Sequence, residues 1–165
     1  MAASENNRGT GGRGEDRKKT PEEIAEERIE EARKSEAHEL DLTNLGLSEL
    51  PASIGQLTQL HQLSVGINHL TSLPVALGQL THLQKLAIQK NKLRTLPEAV
   101  GQLTQLRELF AYSNELTTLP ETLRYLVNLE FLDVPKNRLA TLPEALGGLT
   151  RLRKLWVSDN QLVVL

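Results

Sequence analysis

Histidines and acidic residues near the start of the chain could take part in catalysis or metal binding, but their spacing predicts neither. The four histidines are His38, His61, His69 and His82. They fall in loops or at strand edges and do not converge as a tetrahedral metal site requires. Glu39 and Asp41 lie on a solvated face rather than as a paired general acid and base. The chain has no cysteine, phosphate-binding loop or dinucleotide-binding motif. We therefore expect no catalytic residue, metal or cofactor, and no enzyme.

The other candidates are aromatic side chains, and their placement depends on a repeat that begins at residue 38. Prolines recur every 23 residues, at Pro51, Pro74, Pro97, Pro120 and Pro143, each after a leucine. Asparagines keep the same period at Asn68, Asn91, Asn114, Asn137 and Asn160. A fixed period of this length is typical of a solenoid, because one repeat cannot bury its leucines alone but stacked repeats share a core.

Each repeat predicts a short strand followed by a short helix. Residues 86–88 alternate as a strand does, Pro97 ends the pairing, and Val100, Leu103 and Leu106 have helical or 3₁₀ spacing. We expect Gly101 to ease a turn there, although Arg124 replaces it one repeat later. Because strands occupy less of the arc than helices, the parallel sheet should take the concave side.

The pattern Leu-x-x-Leu-x-Leu-x-x-Asn-x-Leu-x-x-Leu-Pro resembles the leucine-rich repeat. Its length and Leu-Pro signature are similar to the intracellular class found in bacterial proteins, plant Ras-group-related proteins and Roco GTPases. The resemblance covers residues 38–165, as five full repeats and one partial repeat. It implies an α/β leucine-rich-repeat horseshoe, with a parallel concave β-sheet, 3₁₀ or short helices on the convex side, and asparagine side chains that form a ladder of hydrogen bonds.

The residues before the repeats predict a tail and a cap. Residues 1–19 are Gly-rich and charged, so we expect disorder. Residues 20–37 predict a capping helix, because Thr20, Pro21 and Glu23 form a helix start with a capping box. Its narrow apolar stripe, which includes Ile24 and Ile29, should cover the open end of the leucine core.

The last repeat stops at Leu165, where its Leu-Pro pair is due. We expect Leu155, Val157, Leu162 and Leu165 to face solvent at this end, and Val163 and Val164 stand where other repeats carry polar pairs such as Arg94 and Thr95. Because solenoids need a polar terminal cap, two readings stay open. Either the chain is a fragment of a longer protein, which is the favoured reading, or the uncapped end self-associates or binds a partner.

Side chains that flank the two core residues of each strand should point out from the concave sheet. Four of the five aromatic residues, Phe110, Tyr112, Phe131 and Trp156, fall on such positions in the last three strands. Lys136 and Lys154 flank them together with Glu108 and Asp133. Exposed aromatic clusters are typical of protein-binding hot spots. The plainer alternative is that aromatics simply suit strands, or that further sequence covers these four.

The net charge of −2 gives no reason to expect nucleic acid or an anionic membrane as partner. No apolar run is long enough for a membrane span, and no secretory signal is present, so we expect a cytoplasmic protein. The predicted function is protein–protein interaction through the concave sheet. The rivals are the sensing segment of a larger signalling enzyme, such as a Roco-type GTPase or kinase, and a secreted effector. Reading the encoding DNA beyond Leu165 would separate them.

Overall fold

A computed structural model describes residues 17–163 of the chain. Helix α1 (Pro21–Lys34) precedes six parallel strands that form one sheet in sequence order. The strands are β1 (Glu39–Asp41), β2 (Gln62–Ser64), β3 (Lys85–Ala87), β4 (Glu108–Phe110), β5 (Phe131–Asp133) and β6 (Lys154–Trp156). Five 3₁₀ helices alternate with them at Ala52–Gln56, Val75–Gln79, Glu98–Gln102, Glu121–Tyr125 and Glu144–Gly148. The predicted leucine-rich-repeat solenoid is confirmed.

The 23-residue period sets the strand register. Leu86 pairs with Leu63 on one side and with Leu109 on the other, so equivalent residues of successive repeats lie side by side. After each of the first five strands a Leu-Pro pair leads into a 3₁₀ helix, where the N–H of Leu77, for example, donates to the carbonyl of Pro74 at 3.0 Å. Proline suits this position because its ring fixes φ and it has no N–H to satisfy.

The core is a continuous column of aliphatic side chains. Leu63, Leu109 and Leu132 of the strands are fully buried, as are Leu80 and Leu103 after the 3₁₀ helices. Each repeat places its leucines against those of its neighbours, which is why a single repeat could not exclude water from them.

The asparagines form the ladder that the family resemblance implies. In Asn91, Oδ1 accepts from the N–H of Leu70 at 3.0 Å, and Nδ2 donates to the carbonyls of Val65 at 3.1 Å and Ile88 at 3.0 Å. The carbonyl of Ile88 also accepts from Asn114. Each amide therefore joins two repeats and satisfies buried backbone groups at the bend.

The residue before each ladder position has a left-handed backbone. The six equivalent residues, all with φ between 54° and 56°, are Asn44, Ile67, Lys90, Ser113, Lys136 and Asp159. Asparagine tolerates this region well, whereas a β-branched residue does so poorly. Ile67 is thus the least suited residue at this bend.

Gly101 does not have the role expected of it. Its φ is not positive, so no turn requires glycine there. A Cβ on Gly101 would instead lie 2.7 Å from the backbone oxygen of Thr122 in the next 3₁₀ helix. The glycine is needed for the close approach of successive convex segments.

Helix α1 covers the first repeat. The expected capping box is present, since the N–H of Glu23 donates to Oγ1 of Thr20 and the N–H of Thr20 donates back to Oε2 of Glu23. The apolar stripe buries Ala25 and Ile29 against the core. The N–H and hydroxyl of Ser48 both donate to Oε1 of Glu22, which anchors the helix to the first repeat.

Both predicted ends fall partly outside residues 17–163. The predicted disorder of residues 1–19 lies there except for 17–19, which have no regular secondary structure. At the other end Leu155 and Val163 are exposed, Val157 and Leu162 are partly buried against the core, and Val164 and Leu165 lie outside the described residues. Within the described residues, no helix is long and apolar enough to cross a membrane.

Candidate functional site

Each strand of the concave sheet presents two side chains to solvent and one to the core. In β4, Leu109 is fully buried while Glu108 and Phe110 are half-buried on the open face. The alternation follows from strand geometry, and the parallel register repeats it across all six strands. Residues that are far apart in sequence therefore form rows across the concave surface.

Phe110, Phe131 and Trp156 form one continuous group on this surface, which we name the aromatic cluster. The ring centroids of Phe110 and Phe131 are 5.1 Å apart at an interplanar angle of 59°. Those of Phe131 and Trp156 are 5.0 Å apart at 82°, an edge-to-face contact. Such contacts hold the rings in place, and Trp156 still leaves 54% of its surface exposed.

Two lysines lie over the rings of the cluster. Lys85 Nζ is 5.3 Å from the Phe110 centroid and 3.7 Å from Oε2 of Glu108. Lys154 Nζ is 5.9 Å from the Phe131 centroid. Both distances suit a cation–π contact, which shows that these ring faces are oriented to accept positive charge.

A groove of about 450 Å³ runs along the strand-start side of the cluster. It is lined by Arg107, Glu108, Phe110, Glu130, Phe131, Arg153 and Lys154. Arg107, Glu130 and Arg153 were not among the residues predicted from sequence. The signal was present, because they occupy the same repeat position immediately before successive strands.

Asp133 lies inside the cluster rather than at its border. It pairs in register with Phe110 on β4 and with Trp156 on β6, and Phe131 lies two residues before it on the same face. Only 5% of its surface is exposed. Among residues 17–163, no hydrogen bond or ion pair reaches its carboxylate. Burial raises the pKa of Asp133 above its ordinary value because the charged form loses hydration.

Tyr112 and Lys136 lie at the other ends of the strands. Tyr112 is half-buried beyond β4, and its carbonyl accepts from the N–H of Lys90 at 2.9 Å. Lys136 is exposed at a left-handed bend, and its N–H donates to the carbonyl of Ser158. Neither makes a ring or cation–π contact with the aromatic cluster in the described part of the chain.

Six of the eight partner-binding residues predicted from the sequence lie together in the structure. The six are Glu108, Phe110, Phe131, Asp133, Lys154 and Trp156. Tyr112 and Lys136 stay on the same concave sheet but outside this group.

Of the four histidines, His38 and His61 are in direct contact. Nδ1 of His38 lies 2.7 Å from Nδ1 of His61, with ring centroids 4.6 Å apart, while His61 and His82 are 6.5 Å apart between centroids. A hydrogen bond between these two Nδ1 atoms requires that one of them carries a proton and donates it while the other accepts. Across residues 17–163, no group of three or more potential ligands could hold a metal ion.

Comparison with known proteins places the chain among repeat proteins. A family model described as a leucine-rich repeat region matches residues 38–115. A leucine-rich-repeat protein of Leptospira interrogans is 32% identical, with a TM-score of 0.66, over 82% of this chain and 41% of that one. No curated protein matches the chain.

Two further structures are similar. The functional domain of InlJ from Listeria monocytogenes is 29% identical, with a TM-score of 0.70, over 79% of this chain and 27% of that one. A TDR receptor is 30% identical, with a TM-score of 0.64, over 68% of this chain and 20% of that one. The chain thus spans less than half the length of each of the three. The InlJ domain is described as including a cysteine ladder, whereas this cysteine-free chain carries an asparagine ladder.

Proposed function

Because the chain is a leucine-rich-repeat protein, we propose that it is a recognition module whose concave sheet binds another protein through the aromatic cluster. The observation that carries this proposal is the contact chain Phe110–Phe131–Trp156, with centroid distances of 5.1 and 5.0 Å on an open surface. Rigid aromatic groups supply much contact area at low entropic cost and dominate the energy of many protein interfaces.

The charges around the cluster support the same reading. Lys85, Glu108 and Lys154 lie beside the rings, so charged side chains border the aromatic cluster. Aromatic groups with a polar rim are typical of protein interfaces. Border charges of this kind contribute to association rate and partner choice more than to affinity.

A photo-crosslinking amino acid at position 131 would identify the partner directly. The same group at position 125 is the control, because Tyr125 is an aromatic residue on the convex 3₁₀ helix and is exposed to solvent. In a lysate of the source organism, we expect a protein crosslinked from position 131 and not from position 125. Identical products from the two positions would contradict the proposal.

Binding of the purified partner then measures the contribution of the cluster. Phe131→Ala removes the ring that touches both others, and Tyr125→Ala is the control. We expect at least a ten-fold weaker Kd for Phe131→Ala, in the range of an interface hot spot, and an unchanged Kd for Tyr125→Ala. Equal affinities, with unchanged circular dichroism, would reject the concave site.

Catalysis is not part of this proposal. Leucine-rich-repeat proteins are typically interaction modules rather than enzymes, and we propose the same for residues 17–163. The wider settings raised by the sequence, a segment of a Roco-type signalling enzyme or a secreted effector, stay predictions that would use the same face. The cytoplasmic location also stays a prediction, which cell fractionation tests.

A further inference from the structure

The unusual group on the concave face is a nearly covered aspartate whose carboxylate has no hydrogen-bond or ion-pair partner among residues 17–163. Asp133 is 5% exposed, and an uncompensated charge in such surroundings is costly unless something pairs with it. The equivalent residue four repeats earlier, Asp41, is exposed, and its Oδ1 accepts from the N–H of Thr43 at 2.8 Å. The repeat therefore does not itself require the burial of an aspartate at this position.

The residues beside Asp133 are suited to positive charge. Trp156 lies in register with it on the neighbouring strand and is 54% exposed. The rings of Phe110 and Phe131 each already hold a lysine of the chain, whereas no cation lies over Trp156 among the described residues. Tryptophan is the strongest cation–π acceptor, so its free face and the carboxylate beside it offer two attractions for one cation.

The cations nearest the cluster lie at the strand starts or, for Lys136, at the bend after β5, and no ion pair joins any of them to Asp133 among the described residues. Lys85 lies 3.7 Å from Glu108, and Arg153 lies 3.8 Å from Glu130. Lys154 lies over Phe131 on the strand-start side. Arg107 lines the groove on that same side. Among residues 17–163, the charge at the centre of the cluster is thus negative and unpaired, which sets the charge of a complementary ligand.

We propose that the aromatic cluster receives a basic side chain of the partner protein, held between the indole face of Trp156 and the carboxylate of Asp133. An arginine guanidinium suits both surfaces, since it stacks on aromatic rings and pairs with carboxylates through two parallel hydrogen bonds. This inference rests on the proposed function and names the chemistry that the partner presents.

The single tryptophan of the chain makes the site directly observable. The probe is N-acetyl-arginine methylamide, titrated into the full chain while the fluorescence and the indole N–H resonance of Trp156 are recorded. We expect a saturable change in both signals. Neutral N-acetyl-citrulline methylamide, which has nearly the same shape, should bind at least ten-fold more weakly. Equal binding of the two probes, or no saturation by the arginine probe, would overturn the proposal.

Asp133→Asn keeps the shape of the side chain and removes its charge. We expect at least a ten-fold loss of affinity for the arginine probe, while Asp41→Asn leaves the affinity unchanged. A response of Asp133→Asn equal to that of the unmodified chain would overturn the proposal. So would saturable binding of N-acetyl-aspartate methylamide in place of the arginine probe, because the cluster would then select an acidic partner.

The proposed function and this inference fail in different ways. If Phe131→Ala loses the crosslinked partner and Asp133→Asn keeps it at full affinity, the concave site stands and the basic-ligand inference falls. If the affinity for the arginine probe depends on Asp133 but the partner binds Phe131→Ala with unchanged Kd, the cation site is supported and the proposed interface is rejected.

Discussion

Oδ1 of Asn137 accepts a hydrogen bond of 3.0 Å from the backbone N–H of Leu116, which belongs to the preceding repeat. The contact links two segments that are 21 residues apart, and it satisfies a buried donor that has no strand partner at the bend. Because every interior repeat has the equivalent bond, the ladder connects the bends of the solenoid from one end to the other. Removing a single asparagine should therefore weaken the contact between two repeats.

We expect Asn91→Ala to lower the free energy of unfolding by about 2 kcal/mol, the typical cost of leaving a buried donor unpaired. The N–H of Leu70 would lose its acceptor, while the carbonyls of Val65 and Ile88 would keep the bonds from Asn68 and Asn114. Urea unfolding followed by circular dichroism measures the change. Lys92→Ala, an exposed neighbour, is the control. Equal stability of the two variants would show that the ladder contributes nothing.

Ile67→Asn should stabilise the chain, by about 1 kcal/mol, because a β-branched residue in the left-handed region is strained. The φ of Ile67 is 56°, and Asn44 already occupies the equivalent bend one repeat earlier. The side chain is 44% exposed, so little burial is lost. The thermal unfolding midpoint measures the gain. Val75→Asn replaces another exposed β-branched residue outside the left-handed region, and it should bring no gain. A lower midpoint for Ile67→Asn would contradict the strain argument.

The period of the leucines, prolines and asparagines was enough to predict the stacked parallel strands, the sheet on the concave side and the positions of the aromatic residues on that sheet. These features follow from phase alone, because residues 23 apart must lie side by side. Side-chain burial within a row did not follow. Asp133 and Asp41 share one position of the repeat, yet Phe110 and Trp156 bury only the first. That difference depends on neighbours that are contributed by other repeats.

The 23-residue repeat pattern also did not predict why residue 101 is a glycine. A glycine that recurs at one position of the repeat indicates that the position favours glycine, but it does not indicate whether a positive φ or close packing is the reason. The backbone of Thr122 comes near enough to exclude a Cβ, whereas a Cβ on Gly147, two repeats later, would meet nothing within 4 Å. Identical residues in identical phase thus differ in cost according to what packs against them.

Gly101→Ala should destabilise the chain by about 2 kcal/mol, because the added methyl forces the adjacent 3₁₀ helix away. Gly147→Ala is the matched control, and it should be neutral or slightly stabilising, since alanine has less backbone entropy to lose on folding. Urea denaturation of both variants gives the comparison. If the two substitutions cost the same, close packing on the convex side would not explain the glycine.

Asp133→Asn should raise the free energy of unfolding at neutral pH and have almost no effect in acid. Burial raises the pKa of Asp133 in the folded state, so the folded chain binds this proton more tightly than the unfolded chain does. The free energy of unfolding therefore falls as pH rises from the ordinary aspartate pKa through the raised one. Asparagine lacks the charged form and escapes that loss.

Asp41→Asn provides a control of the opposite sign. Hydrogen bonds from the hydroxyl and N–H of Thr43 lower the pKa of Asp41. Its charged form therefore stabilises the fold at neutral pH, and that contribution disappears as pH falls through the lowered value. Urea unfolding of both variants and the unmodified chain across this pH range should show Asp133→Asn gaining and Asp41→Asn losing stability toward neutral pH. A difference for Asp133→Asn that does not vary with pH would mean that its carboxylate carries no desolvation cost in the folded state, and the basic ligand would then have no buried charge to neutralise.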